Sequence, residues 1–91
     1  MIITVELSLY PLKDDFEEVI LAFIKRLRSY PELKVYTTAM STLVKGEMDV
    51  IFDTLKVELK EVYNKLDTAS TVIKIVNRPL PVEDGYYEFD S

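Results

Sequence analysis

Neither cysteine nor histidine occurs in this chain of 91 residues, and glycine occurs only twice. Without cysteine there is no disulfide, no thiol nucleophile and no zinc–thiolate centre, a composition that fits a reducing cytoplasm. Without histidine, general-base or nucleophilic work would fall to carboxylates or tyrosine. Concentrated positive charge is also missing: 11 basic residues face 16 acidic ones, for a net charge of −5. Binding a phosphate backbone needs a dense basic surface, so nucleic acid is not an expected partner. No segment joins a basic region to a long apolar run, so neither a signal peptide nor a membrane span is expected. Two glycines and four prolines exclude low complexity, and no internal repeat is visible.

What is present is a patterned chain, 48% hydrophobic, of a length that fits one domain. Ile2 to Leu9 alternates, with Ile3, Val5, Leu7 and Leu9 on one side and Thr4, Glu6 and Ser8 on the other, which predicts a half-buried strand ended by Tyr10-Pro11. Asp14 or Asp15 is placed to cap a helix. Its stripe is Phe16, Val19, Ile20, Phe23, Ile24 and Leu27, and Tyr30-Pro31 stops it. Leu33 to Met40 predicts a second strand and Thr42 to Lys45 a third, broken by Gly46. Met48, Ile51, Phe52, Leu55, Leu59, Val62 and Leu66 trace a second helix, with solvated charges from Glu58 to Lys65 on its far side. Ser70 to Val76 predicts a fourth strand, closed by Asn77-Arg78-Pro79.

The order β-α-β-β-α-β, with right-handed crossovers, predicts an α+β ferredoxin-like βαββαβ sandwich. Its four-stranded antiparallel sheet has strand order 4-1-3-2 and two helices on one face. Residues 1–78 make up this single domain, and residues 79–91 form an acidic, aromatic tail. On the open sheet face Glu6 is expected to meet Lys74 across the strands. Ile2, Leu43, Val72 and Val76 share that face. So apolar a surface predicts a homo-oligomer, dimer or tetramer, packed sheet to sheet, or a tail folded back through Tyr86, Tyr87 and Phe89.

Residues 37–42 read Thr-Thr-Ala-Met-Ser-Thr, four hydroxyls and a thioether with no strong acid, base or nucleophile among them. Such a patch suits holding a ligand rather than transforming one. The predicted topology brings the end of the first strand (Ser8, Tyr10) beside the starts of the third (Ser41, Thr42) and fourth (Ser70, Thr71) strands. The end of the second strand (Thr37, Thr38) joins them. Threonine is also an ordinary strand former and serine an ordinary turn residue, so a purely structural role stands beside the binding one.

Two stretches carry a resemblance. Val5-Glu6-Leu7-Ser8-Leu9-Tyr10-Pro11-Leu12 resembles the first strand of the small YkoF-like, thiamine-binding protein family. Residues 37–47, from Thr37 to Glu47, are similar to that family's central strand pair and the entry to its second helix. Thr71 to Arg78 matches its fourth strand, so the likeness spans roughly residues 3–78. In many relatives a glycine follows the methionine, where this chain has Ser41. The resemblance implies a ferredoxin-like fold, oligomers built through the sheets and, in some members, binding of thiamine or its hydroxymethylpyrimidine part. It implies no catalysis, no cofactor and no metal. An aminopyrimidine would meet Ser8, Thr37, Thr38, Ser41 and Thr42, with Met40 and Tyr10 packed on the ring.

Three other readings compete with it. A small enzyme of this fold, of the acylphosphatase kind, would need a phosphate-cradling loop after the first strand. Here that loop is Pro-Leu-Lys-Asp-Asp, whose aspartates repel phosphate. A structural or regulatory homo-oligomer without this ligand is the main alternative. An RNA-recognition module would need an aromatic platform in basic surroundings, which are missing.

Overall fold

The computed structural model describes residues 1–12, 17–38 and 40–81. Its elements are β1 (Ile2–Pro11), α1 (Glu17–Arg28), β2 (Lys34–Thr37), β3 (Thr42–Glu47), α2 (Met48–Lys65) and β4 (Ala69–Val76). The strands form one antiparallel sheet in the order β2-β3-β1-β4, the ferredoxin-like βαββαβ arrangement expected from the pattern. Ile3, Val5 and Leu7 of β1 and Val44 of β3 point to one face. There they meet Phe23 and Leu27 of α1 and Ile51, Leu55 and Val62 of α2. Each such side chain contributes about 1.5–3 kcal/mol on burial, which is why strict alternation in β1 fixes its register.

Three boundaries differ from the sequence expectation, each for a local reason. β1 runs on through Tyr10 to Pro11, because Ser8 to Pro11 pair with β4 alone and proline's missing donor is tolerated at a one-sided edge. β2 is only Lys34–Thr37. Leu33 is held in the turn after α1 by its amide bonding to the Tyr30 carbonyl, and the Thr38 amide bonds to the Ser41 carbonyl at 2.8 Å to close the β2–β3 hairpin. Gly46 does not break β3; it pairs with Ile3 inside the strand. A Cβ there would lie 2.8 Å from Leu33 Cδ2 and 3.2 Å from the Glu32 carbonyl oxygen, so glycine lets the loop before β2 close over β3. The expected helix cap at Asp14 or Asp15, and Phe16, lie outside the described residues.

Glu58 was expected among the solvated charges of α2, and it is instead buried. Its position in the stripe Ile51, Leu55, Glu58, Val62 turns it inward against α1. There it accepts from Arg26 Nε at 2.5 Å and from the Tyr30 hydroxyl at 2.7 Å. A buried carboxylate without partners would be very costly, and this pair of charge-assisted bonds compensates it while tying the two helices together.

The open face is partly covered by the chain itself. Beyond β4 the backbone turns back across β1 and β3. Thr4 Oγ1 donates to the Arg78 carbonyl at 3.0 Å and accepts from the Leu80 amide at 2.9 Å, while Lys45 Nζ donates to the Leu80 carbonyl at 3.0 Å. This strap explains why Thr4 and Leu43, both on the outward face of the sheet, are buried. Val72 remains 54% exposed, and Glu6 pairs with Lys74 at 3.4 Å as its cross-strand position predicts. Tyr86, Tyr87 and Phe89 lie outside the described residues. Among the described residues, no helix is long and apolar enough to cross a membrane.

Replacing Glu58 by alanine is expected to destabilise the protein by roughly 3 kcal/mol, read as a lower urea midpoint at unchanged slope. A Glu58 variant as stable as the wild type would remove this pair from the account. The hydrogen bond to Glu58, aided by desolvation and by the carboxylate's charge, raises the Tyr30 hydroxyl above the usual tyrosine pKa of 10.0. A raised folded-state pKa means that this contribution is complete below pH 10 and is lost as pH rises through the folded value. The stability gap between wild type and Tyr30→Phe should therefore shrink in alkali and stay constant from pH 6 to 9. A gap that widens in alkali would contradict this.

Candidate functional site

The two ladders of β1 are offset. β3 pairs with Ile2 to Leu7, and β4 pairs with Thr4 to Pro11. Past Leu7, the β3 side of β1 therefore has no strand neighbour, and the β2–β3 hairpin turns away there. The result is a notch at one end of the sheet, with a cavity of about 220 Å³. Ser8, Tyr10, Thr37, Thr38, Met40, Ser41 and Thr42 all line it, so the structure brings every one of the seven sequence-predicted residues together. Ser70 and Thr71, expected at the same cluster, do not reach it. They pair with Tyr10 and Leu9 on the opposite edge of β1, and the Thr71 hydroxyl bonds to Tyr63 of α2.

The floor of the notch is apolar and was not foreseen. Leu7 and Leu9 of β1 and Ile20 and Ile24 of α1 complete the lining, and a smaller recess of about 30 Å³ continues beneath them to Phe23. The signal was available: Ile20 and Ile24 are one helical turn apart, on the flank of the stripe that reaches beyond the end of β3.

The seven residues do different things. The Thr38 hydroxyl accepts from the Met40 amide at 3.1 Å and the Ser41 amide at 3.0 Å, and it donates to the Ser41 carbonyl at 3.1 Å. It builds the turn and has little capacity left for a ligand. The Thr37 hydroxyl accepts from Arg28 Nη2 at 2.8 Å, a cation that sequence reasoning missed because it comes from the far end of α1. Ser41 Oγ donates to Glu6 Oε2 at 3.0 Å, and Glu6 Oε1 faces Lys74. The serine that stands where many relatives carry glycine is thus braced against a carboxylate. Among the described residues, the hydroxyls of Ser8, Tyr10 and Thr42 make no hydrogen bond. Met40 and Tyr10 stand at the rim, 85% and 52% exposed.

Two other concavities are comparable in size. A trough of about 280 Å³ lies between α1 and α2, lined by Glu18, Val19, Ala22, Arg26 and Lys65. It is larger than the notch, but its cations are already committed, Arg26 to Glu58 and Lys65 to Glu61, and the remaining Arg26 Nη2 is enclosed away from solvent. A third, of about 200 Å³, lies on the open face beside Glu6, Lys74 and Leu80. Of these three concavities among the described residues, the notch alone combines apolar walls with uncommitted hydroxyls, the make-up of a small-molecule site. Among the described residues, no three carboxylates converge as a metal ion would require.

Comparison with known proteins places the fold among solved structures. A putative thiamine biosynthesis/salvage protein from Thermotoga maritima superposes with a TM-score of 0.82 at 20% identity, covering 98% of this chain and 99% of that one. A hypothetical protein from Methanocaldococcus jannascii gives 0.73 at 29% identity over 85% of this chain and 80% of that one. A domain of unknown function (DUF77) from Bacillus cereus gives 0.76 at 21% identity over 98% and 90%. The first and third show the shared fold. No curated protein matches the chain. The profile of the thiamine-binding protein family matches residues 5–82, nearly the whole of the described fold. The chain belongs to the thiamine-binding protein family.

Proposed function

We propose that the protein binds a hydroxymethylpyrimidine or thiamine in the notch and does not transform it. The observation that carries this reading is the pairing, within one cavity, of an apolar floor with three hydroxyls that have no partner among the described residues. A pyrimidine ring slid between Leu7, Leu9, Ile20 and Ile24 would be desolvated on its faces. Its amino group and ring nitrogens would meet Ser8, Thr42 and the free backbone edge of β1 beyond Leu7. Pre-formed ligand pockets usually span about 300–1,000 Å³, so a cavity of about 220 Å³ suits one ring better than two. The pyrimidine is accordingly the anchored part, and in thiamine the thiazolium would project past Tyr10 and Met40 to the rim. Tyr10 offers that cation an aromatic face.

The absence of histidine and cysteine, and the lack of any activated nucleophile in the notch, support binding without catalysis. The description of the Thermotoga protein as a thiamine biosynthesis/salvage protein fits the same ligand class. The reading includes a cytoplasmic homo-oligomer, dimer or tetramer, assembled through the open sheet face. The still-exposed Val72 and the apolar cavity beside Leu43, Val76 and Leu80 support that contact.

Calorimetric titration with hydroxymethylpyrimidine and with thiamine should show saturable binding of both, and no heat from folded protein with either would overturn the ligand assignment. Ser8→Ala and Thr42→Val should each weaken binding about tenfold, the equivalent of one lost hydrogen bond, with unchanged melting behaviour. Thr38→Ala acts differently. It should speed amide exchange at Met40 and Ser41, and Thr38→Ser should restore the protection. Unchanged exchange in Thr38→Ala would show that its hydroxyl does not hold the turn.

A further inference from the structure

Arg28 is the one cation among the described residues that hydrogen-bonds a residue lining the notch. Ile20, Ile24 and Arg28 stand four residues apart on α1 and form one row, and the two isoleucines wall the notch. Helical side chains tilt toward the helix N-terminus, which leans Arg28 back along that row. Its Nη2 donates to the Thr37 hydroxyl at 2.8 Å, and its other N–H groups have no partner among the described residues. A cation at a helix C-terminus complements the dipole wherever it points. Reaching across to β2 is a further constraint, and it holds the guanidinium beside the cavity.

Thr37 and Thr42 are cross-strand partners in the β2–β3 ladder. Both lie two residues from the Val35–Val44 pair and so share the helix-covered face with it. Their Cβ atoms are therefore about 5 Å apart. The Thr37 oxygen accepts from Arg28, which leaves its own proton to donate. Next to Thr42, this corner of the notch thus presents a cation and a hydroxyl proton. Glu6, the carboxylate bonded to Ser41, alternates with Val5 and Leu7 and belongs to the opposite sheet face.

We propose that this corner is a phosphate subsite, and that the notch prefers a phosphate ester of the hydroxymethylpyrimidine to the free alcohol. The inference rests on the pyrimidine binding proposed for the notch and deepens it. With the ring against Thr42, a substituent as long as one cross-strand spacing reaches Arg28 and Thr37. The hydroxymethyl oxygen is where a phosphate attaches. The ester's three terminal oxygens match a guanidinium fork and a hydroxyl. Thiamine carries its thiazolium on the same methylene carbon. Arg28 repels that cation, which directs it to the Tyr10 and Met40 rim instead. A net charge of −5 disfavours anions in general, so the selection is local and phosphate without the ring gains little.

The test is calorimetric titration of the unaltered chain and of Arg28→Gln with the alcohol, its phosphate ester and inorganic phosphate. Glutamine keeps a donor for Thr37 and removes the charge. The unaltered chain should bind the ester about tenfold more tightly than the alcohol, as charge-assisted bonds to phosphate require. Arg28→Gln should abolish that preference, and Arg28→Lys should retain part of it. The phosphorus resonance of the bound ester should shift with the unaltered chain and much less with Arg28→Gln. Equal affinity for alcohol and ester, or a preference that survives Arg28→Gln, overturns the phosphate subsite while the pyrimidine binding stands. Inorganic phosphate bound as tightly as the ester also overturns it, because the anion site would then be independent of the notch. Failure of both alcohol and ester to bind overturns the subsite and the pyrimidine binding together.

Discussion

The offset between the two ladders of β1 is the constraint on which this molecule depends. Because the pairing of β1 with β3 stops at Leu7 while its pairing with β4 continues to Pro11, the central strand ends as a one-sided projection. That projection permits proline within a strand, leaves backbone groups unpaired on one edge, and opens a notch between the hairpin and α1. A hairpin longer by one residue pair would close the notch and bury the same hydroxyls in a sheet. The register in turn follows from Ile3, Val5 and Leu7 facing the helices, so the core packing that stabilises the fold also sets the depth of the cavity.

Most of the architecture was legible because the apolar periods are strong. Alternation in β1 and the three-and-four spacing of both helices fix element type, and the chain order leaves few topologies. The seven notch residues were legible for the same reason: once the strand order is known, the strand ends that must meet are known. What escaped was tertiary. Glu58 sits in the inward stripe of α2, yet its charge suggested solvent; only Arg26 and Tyr30, thirty-two and twenty-eight residues earlier, make its burial tolerable. Gly46 looked like a break because glycine usually punctuates, whereas here its missing Cβ accommodates Leu33. Thr4 looked like an outward strand residue and is the anchor of the strap formed by Arg78 and Leu80.

The hydroxyl-rich stretch proves to be a division of labour. Thr38 shapes the turn, Thr37 and Ser41 are braced by Arg28 and Glu6, and Thr42 with Ser8 and Tyr10 faces the cavity uncommitted. Such an arrangement favours a cavity shaped before any ligand enters it, because the supporting bonds are made within the protein. Pre-organisation of this kind reduces the ordering cost of binding a small, rigid ring. The division of labour also accounts for the weak sequence signature, since the uncommitted cavity-facing groups are few and the rest are common turn and strand residues.

The location of binding is the most direct test of the central claim. In a two-dimensional amide spectrum titrated with hydroxymethylpyrimidine, perturbations should concentrate at residues 8–10, 20–24 and 37–42. Helix amides lining the trough beside Arg26 and Lys65 should shift little. Saturable shifts centred on that trough or on the open face, with residues 8–10 and 37–42 unmoved, would contradict the account.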